Sequence, residues 1–258
     1  MPPRIAIPMP HSFDPEYAER AIPQYERAVT LAGGEPVRVA LDRTPDEISK
    51  IISRCDGVLL PGSKADVDPA RYAAAGSPHT AAADLRRDTV DNLLLENAYK
   101  LRKPVLGICY GLQSLNVYRA GSLVQHIPDF LPEATRAKVN HAAGKNVAVA
   151  HEVEIDSASR LAEIVSAKVR GQESEVRSPL LVPVNSSHHQ SADENKIGKG
   201  LRIVARCTDD GIIEALEGTA PDHFVLAVQW HPERSVEQDA ASLAIFRAFI
   251  NAAGERRK

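Results

Sequence analysis

The segment from Val105 to Gly121 most constrains how this chain folds. Its first residues, Val-Leu-Gly-Ile, are typical of a short buried strand, and the apolar residues after them recur near helical spacing until Gly121. Between the two lies Cys109, with Gly107 and Gly111 two residues to either side. This pattern predicts a sharp strand-to-helix turn that holds Cys109 in a strained conformation, with no Cβ crowding it from either flank.

The turn would place Cys109 at a helix N-terminus, where the macrodipole and the free N–H groups favour a thiolate. The alternative is a buried cysteine between two incidental glycines, since free cysteine is among the most buried residue types. We favour a nucleophile, because the motif falls where a strand is followed by a helix.

Strands and helices are predicted to alternate through the first half of the chain. The predicted strands are Arg4–Ile7, Pro36–Leu41 and Asp56–Leu60, and the predicted helices are Pro15–Gly33, one that opens at Thr44-Pro45-Asp46-Glu47, and Asp84–Leu101. Such alternation predicts an α/β fold of three layers, with a mostly parallel central sheet and helices on both faces. Ligands bind such sheets beyond the carboxyl ends of the strands, where Gly62 and Cys109 are both expected to lie.

The second half of the chain predicts a small antiparallel, β-rich portion. Its predicted strands are Val147–Ile155, Val182–Asn185, Leu201–Cys207, Ile212–Leu216 and Phe224–Trp230, and a closing helix spans Asp239–Ala253. The third and fourth strands flank Thr208-Asp-Asp-Gly211, a hairpin turn signal. No linker or internal repeat is visible, so we expect residues 1–258 to form one domain.

Composition excludes several classes of partner. A net charge of -3 and a pI near 6.3 give no electrostatic footprint for nucleic acid or an anionic membrane. Cys55, Cys109 and Cys207 form no CxxC pair and no even-numbered disulfide framework, and the amino-terminal residues do not resemble a signal peptide. We therefore expect a cytoplasmic protein that acts on a small molecule without a cofactor or metal; homodimer formation is left open.

Cys109 needs a base, and His231 is the best placed of the nine histidines, because it follows the end of a predicted buried strand. In an extended segment residues i and i+2 face the same side, so Glu233 is expected to reach the Nδ1–H of His231, with Pro232 fixing the backbone between them. The carboxylate would turn Nε2 towards the sulfur and stabilise an imidazolium. Thiolate, imidazole and carboxylate together suit acyl transfer through a thioester.

Two segments, Leu-Gly-Ile-Cys-Tyr-Gly-Leu-Gln (106–113) and Ala-Val-Gln-Trp-His-Pro-Glu (227–233), resemble the signatures of class I glutamine amidotransferase-like enzymes. Resemblance to the γ-glutamyl-γ-aminobutyrate hydrolase branch, which is peptidase C26-like, rests on Pro61-Gly-Ser63, Asp66-Val-Asp-Pro69, Asp84-Leu-Arg-Arg-Asp88 and Val184-Asn-Ser-Ser-His-His-Gln190. The resemblance covers nearly the whole chain and implies a flavodoxin-like fold.

The resemblance also implies roles for individual residues. Cys109 would be the nucleophile, His231 the general base and acid, and Glu233 its orienter. The implied oxyanion-hole donors are the backbone N–H groups of Gly62 and Tyr110, and the implied substrate-binding residues are Gln113, Asn185, Ser186 and His188. Ser63 and Tyr110 depart from the family pattern, which often has glycine and arginine there, so the oxyanion loop and the substrate preference stay open.

Three functions are compatible with these residues. The leading hypothesis is a cysteine hydrolase that cleaves a γ-glutamyl amide bond, with γ-glutamyl-GABA or a similar γ-glutamylated amine as substrate, as in the breakdown of polyamines such as putrescine. The alternative is a glutaminase subunit that delivers ammonia to a separate synthetase. A non-catalytic binding module is the third, since fold does not fix function.

Other polar residues have simpler expected roles. His188 and His189 are not accompanied by a carboxylate or thiol at ligand spacing, so no metal site is expected. His126, His141 and His151 are expected in loops or on the exposed face of a strand, and Cys55 and Cys207 as small core residues. For Arg87 and Asp88 a structural ion pair is favoured over a role in substrate binding.

Overall fold

The computed structural model describes residues 1–166 and 180–256. Its strands are β1 (Arg4–Pro8), β2 (Glu35–Val39), β3 (Gly57–Leu60), β4 (Val105–Ile108), β5 (Leu123–Val124), β6 (His151–Ile155), β7 (Leu180–Val184), β8 (Ser191–Ala192), β9 (Leu201–Cys207), β10 (Ile213–Gly218) and β11 (Val225–Val228). Its α-helices are α1 (Pro15–Leu31), α2 (Pro45–Ser53), α3 (Leu85–Leu101), α4 (Tyr110–Tyr118), α5 (Ile127–Phe130), α6 (Glu133–Arg136), α7 (Arg160–Ser166) and α8 (Ala240–Glu255).

The main sheet has the order β2-β1-β3-β4-β11-β10-β9-β6-β7. Strands β2, β1, β3, β4 and β11 are parallel to one another, and each of the remaining strands is antiparallel to its neighbour. The α/β fold with a mostly parallel sheet and an added antiparallel portion is therefore confirmed. Because β3, β4 and β11 are adjacent and parallel, the residues that follow their carboxyl ends meet at one edge.

Two hydrophobic cores cover the two faces of the sheet. One is formed by strand residues such as Ile7 and Leu226 with α1, α7 and α8, and the other by residues such as Val58 and Ala227 with α2, α3 and α4. A three-layer arrangement follows, because each apolar sheet face is buried by its own set of helices.

Side-chain caps fix where the predicted helices begin. Thr44 and Glu47 form a reciprocal capping box at the start of α2, and the Asp84 and Asp239 side chains accept backbone N–H groups at the starts of α3 and α8. The predicted strand over Val147–Ile155 was too long, because regular pairing with β7 begins only at His151.

Helix α3 buries charged residues in addition to the apolar residues Val90, Leu94 and Ala98. Leu85 is 62% exposed, whereas Arg87, Asp88 and Asp91 are buried. The predicted Arg87–Asp88 pair is wrong, because neighbouring residues on a helix do not face each other. Arg87 Nε instead contacts Asp91 Oδ1 at 2.7 Å, and Asp88 Oδ1 contacts Arg71 Nη1 at 2.9 Å.

Among the helices of the described residues, none combines the length and the apolar character that crossing a lipid bilayer requires.

We predict that Arg87→Met lowers the free energy of unfolding by about 3–5 kcal/mol, because Asp91 would become a buried charge without a partner. Urea denaturation followed by circular dichroism measures this change. Asp91→Leu combined with Arg87→Met should recover part of the loss, since an apolar pair of similar volume replaces the ion pair.

The matched control is Arg43→Met, which removes a pair with Glu47 whose side chains are 51% and 43% exposed. Its free energy of unfolding should change by less than about 1 kcal/mol. Equal effects of the two substitutions would contradict the assigned role of the buried pair.

Candidate active site

Cys109 occupies the turn between β4 and α4, as predicted. Its backbone has φ 53° and ψ −106°, in a region that non-glycine residues rarely adopt, and its N–H donates to the Val228 carbonyl of β11 at 2.8 Å. A Cβ on Gly111 would lie 2.1 Å from the Leu60 carbonyl oxygen, and a Cβ on Gly107 would lie 2.8 Å from the Gly111 carbonyl oxygen. The two glycines are thus required by close backbone approach around the strained residue.

The residues that follow β3, β4 and β11 meet at the same edge of the sheet. A Cβ built on Gly62 would lie 3.1 Å from His231 Cε1 and 3.6 Å from Cys109 Cβ. Gly62 therefore borders both the thiol and the imidazole. The prediction that these groups share one edge is confirmed.

His231 and Glu233 form a buried hydrogen-bonded pair. The distance from His231 Nδ1 to Glu233 Oε1 is 2.7 Å, and both side chains are at most 6% exposed. The contact was predicted, but from an extended backbone, whereas Pro232–Arg234 is a 3₁₀ turn that begins after His231. The turn folds the carboxylate back onto the imidazole.

The surroundings of His231 stabilise its charged form. Burial lowers the pKa of His231, but the charges of Glu233 and Cys109 and hydrogen bonds to both outweigh it and raise this pKa to about 9. Burial raises the pKa of Glu233, but the charge of the His231 imidazole outweighs burial and holds this pKa below its ordinary value. Within the described residues His231 Nε2 has no hydrogen bond of standard geometry, so it is free to exchange a proton with a bound group.

Asn185 holds the backbone of His231. Its Nδ2 donates to the His231 carbonyl at 2.9 Å, and its Oδ1 accepts the His231 N–H at 2.9 Å. The side-chain amide is thereby occupied at both of its polar atoms by the residue that carries the imidazole. This contact gives Asn185 a positioning role that the sequence did not indicate.

The other implied substrate-binding residues also make internal contacts. Gln113 Nε2 donates to the Gln190 carbonyl and to Gln229 Oε1, both at 3.3 Å. Ser186 Oγ donates to a backbone carbonyl at 2.7 Å, and His188 is buried with Nδ1 2.9 Å from the Gln190 carbonyl. Their assignment to substrate stays a prediction.

The two implied oxyanion donors differ in availability. Tyr110 is the first residue of α4, so its N–H has no acceptor within the helix. The Gly62 N–H donates to the Tyr25 hydroxyl at 3.0 Å, so an incoming oxygen would have to displace that hydroxyl. The side-chain hydroxyl of Tyr110 donates to Asp88 Oδ1 at 2.9 Å.

Three side chains near the site were missed in the sequence. The first is Tyr25, whose hydroxyl accepts the Gly62 N–H. The second is Arg87, whose Nη2 donates to the Pro61 carbonyl at 2.7 Å and so fixes the loop before Gly62. Tyr17 lies close enough to the thiol that burial, aided by the Cys109 charge, raises its pKa to about 12. Tyr17 and Tyr25 both lie in the predicted helix Pro15–Gly33, but helical spacing does not show which tyrosine reaches a site.

Comparison with known proteins decides the family. The sequence model of the peptidase C26 family matches residues 8–233. The chain belongs to the peptidase C26 family. As a member of this family it is a class I glutamine amidotransferase-like hydrolase.

Two relatives agree with that placement. The chain is 36% identical over 230 residues to a provisionally named glutamine amidotransferase of Mycobacterium tuberculosis, and the match covers 89% of this chain and 66% of that protein. It is 31% identical over 235 residues to γ-glutamyl-γ-aminobutyrate hydrolase of Escherichia coli K12, and that match covers 89% of this chain and 84% of that protein.

A solved structure shares the fold at low sequence identity. It is a Thermoplasma acidophilum protein provisionally named as a GMP synthase subunit, with a TM-score of 0.63, 16% identity, and coverage of 100% of this chain and 96% of that one. The likeness supports the architecture of this C26 family member.

We predict that Glu233→Gln lowers the pKa of His231 from about 9, because a neutral amide no longer stabilises the imidazolium. The imidazole NMR signal of His231, followed through a pH titration, measures this change. Glu237→Gln removes an exposed carboxylate paired with Arg27 and should leave the His231 titration unchanged.

The same substitution should make the free energy of unfolding depend differently on pH. A raised histidine pKa stabilises the fold fully below the unfolded value of about 6.5, and this stabilisation is lost as pH rises through about 9. The free energy of unfolding of the parent should therefore exceed that of Glu233→Gln by a larger amount near pH 6.5 than above pH 9. A difference that is constant over this range would contradict the pairing.

Proposed function

We propose that this protein hydrolyses a γ-glutamyl amide bond, with γ-glutamyl-GABA or a similar γ-glutamylated amine as substrate and glutamate and a free amine as products. The observation that carries the proposal is Cys109 at a strained strand-to-helix turn, beside an imidazole whose Nδ1 is held 2.7 Å from Glu233. The name of the E. coli relative supports the choice of substrate class.

Cys109 is the proposed nucleophile and His231 the proposed proton carrier. The His231 pKa of about 9 favours an imidazolium, which stabilises an adjacent thiolate at neutral pH. The sulfur attacks the δ-carbonyl carbon of the glutamyl group, and a tetrahedral oxyanion forms. His231 then gives its Nε2 proton to the departing amine as the carbon–nitrogen bond breaks.

The second half of the reaction returns the enzyme to its starting state. A water molecule gives a proton to His231 Nε2 and adds to the thioester carbonyl. The carbon–sulfur bond then breaks, which releases glutamate and leaves thiolate and imidazolium. Glu233 keeps the imidazole in one orientation through both steps, since its contact to Nδ1 leaves only Nε2 for proton transfer.

The oxyanion is proposed to bind the N–H groups of Tyr110 and Gly62. Both lie beside elements fixed by close packing, so the donors need no reorganisation of the backbone. The Tyr25 hydroxyl, which now accepts from Gly62, must leave or be replaced by the oxyanion. One such donor typically contributes about 100- to 1,000-fold in rate.

The glutamyl end is proposed to bind near Gln113, one helical turn after the nucleophile. Two neighbouring polar atoms, Gln190 Oε1 and Gln229 Nε2, are buried and have no partner in the described part of the chain. A buried amide group without a partner is unfavourable, so these atoms suit the α-amino and α-carboxylate groups of a substrate.

The decisive variant is Cys109→Ala, which removes the attacking sulfur. Its rate of glutamate release from γ-glutamyl-GABA should fall by about 1,000-fold or more, measured with a coupled glutamate assay. Hydroxylamine added to the parent should yield glutamyl hydroxamate, because it captures the thioester. The control Cys55→Ser keeps a donor for the Ile51 carbonyl, which the Cys55 thiol contacts at 3.3 Å, and should retain parental activity.

Two outcomes would contradict the proposal. Cys109→Ala with the parental rate would exclude the nucleophile. Turnover of glutamine, but not of γ-glutamyl amines, that arises only when a synthetase is added would instead favour the glutaminase subunit.

A further inference from the structure

Four buried side chains from separate parts of the chain converge at a point that the proposed reaction does not use. They are His141 in the segment before β6, His151 at the start of β6, His188 between β7 and β8, and Glu214 in β10, and none is more than 3% exposed at its side chain. One ligand atom from each lies within 4.8 Å of every other.

Their burial corrects an expectation from the sequence. His141 and His151 were expected in a loop or on an exposed strand face. His141 does lie in a turn outside the strands but is buried there, and His151 lies on the buried face of its strand. In β6 the residues alternate so that His151 shares the buried face with Val153 and Ile155, while Glu152 and Glu154 are exposed. The alternation of residues along β6 therefore indicated that His151 lies on the buried face. The glutamates between its buried residues made the strand look half-exposed.

The outward ring nitrogens all have acceptors. His141 Nε2 lies 2.9 Å from Asp210 Oδ2, His188 Nδ1 lies 2.9 Å from the Gln190 carbonyl, and His151 Nδ1 lies 3.4 Å from the Glu152 carbonyl. Histidines that bind a metal through one nitrogen usually donate the other N–H to a carboxylate or a carbonyl in this way.

The inward atoms lack such partners. Within the described residues, His141 Nδ1, His151 Nε2, His188 Nε2 and both carboxylate oxygens of Glu214 make no hydrogen bond of standard geometry, although the three nitrogens lie 3.2–3.4 Å from Glu214 Oε1. If each outward nitrogen carries the proton, each inward nitrogen presents a lone pair to a carboxylate oxygen. Lone pairs facing a buried carboxylate repel it, and a single cation between them removes this repulsion.

The spacing of these atoms suits a small divalent ion. Glu214 Oε1 lies 3.2 Å from His141 Nδ1 and 3.4 Å from both His151 Nε2 and His188 Nε2. Ligands about 2.0–2.1 Å from a tetrahedral zinc ion are about 3.3 Å apart, so all three separations fit with little adjustment.

We propose that His141, His151, His188 and Glu214 bind one divalent transition-metal ion, with Zn²⁺ as its best representative. Imidazole and carboxylate are suitable ligands for zinc, and four protein ligands are typical of a structural site. The carboxylates of Glu214 and Asp210 would balance the charge of the ion. The Cys207 sulfur lies within hydrogen-bond reach of His141 and His151 and is a further donor beside the cluster.

The ion would join segments that support the proposed catalytic base. The His188 N–H and the Ser186 hydroxyl both donate to the His141 carbonyl, at 2.9 and 2.7 Å. Asn185, in the same segment, holds the His231 backbone. A cavity of about 270 Å³, lined in part by His141 and His188, lies beside the cluster.

The test is metal binding by untagged protein, which does not depend on the proposed hydrolase activity. Protein stripped with EDTA and dialysed should bind about one equivalent of Zn²⁺ per chain in competition with a chromophoric chelator, and its Tm should rise. Glu214→Gln and His151→Asn should each lose this binding. Cys109→Ala should keep it, which separates a failure of this site from a failure of the proposed nucleophile.

The matched control is His79→Asn, in the less buried group formed by His79, His126 and Asp129, which should keep Zn²⁺ binding at the parental level. Because the buried variants could fail to fold, Co²⁺ added to the stripped parent provides a second readout. It should give the intense visible bands of a tetrahedral site without a sulfur-to-cobalt charge-transfer band. Absence of stoichiometric binding by the folded parent, retention by Glu214→Gln, or a sulfur charge-transfer band would each overturn the assigned ligand set.

Discussion

The close approach of the Gly111 backbone to the Leu60 carbonyl is the contact on which the candidate site depends. No side chain fits between them, since even a Cβ would lie 2.1 Å from that oxygen. This contact brings the start of α4 against the end of β3, and it leaves Cys109 in a positive-φ conformation at the edge of the sheet. The strain at Cys109 is therefore sustained by packing of the surrounding backbone.

The parallel order of β3, β4 and β11 supplies the rest of the arrangement. Each strand ends just before a residue of interest, namely Gly62, Cys109 or His231, and side-by-side pairing converts large sequence separations into neighbouring positions. The antiparallel half adds Asn185, which fixes the backbone of His231. Nucleophile and base thus come from the parallel half, and support for the base comes from the other half.

The fold and this edge of the sheet could be predicted because they follow from local patterns. Period-two and helical spacings marked most elements, and Cys109 and the pair His231 and Glu233 lie inside short motifs. Much of what was missed depends on contacts between distant segments. The hydroxyl of Tyr25 on Gly62 and the histidine cluster around Glu214 each need the tertiary fold before they can be recognised, whereas the pairing of Arg87 with Asp91 is local to α3, at a spacing of four residues. The proposed ligand set around Glu214 illustrates why. No carboxylate stands at ligand spacing from His188 in the sequence, whereas the carboxylate that lies 3.4 Å from His188 Nε2 comes from β10, more than twenty residues later.

The hydrogen bond from Gly62 to Tyr25 has a consequence for selectivity between ground state and transition state. A neutral carbonyl gains little by displacing a phenolic oxygen, because the two are acceptors of similar strength. A fully charged oxyanion is a much stronger acceptor, so its displacement of the phenol is favourable. If Gly62 acts on the substrate, its N–H therefore stays bonded to Tyr25 while the amide is intact and bonds to the substrate oxygen only as negative charge develops. The hydrogen bond then stabilises the transition state more than the bound substrate, which raises the rate.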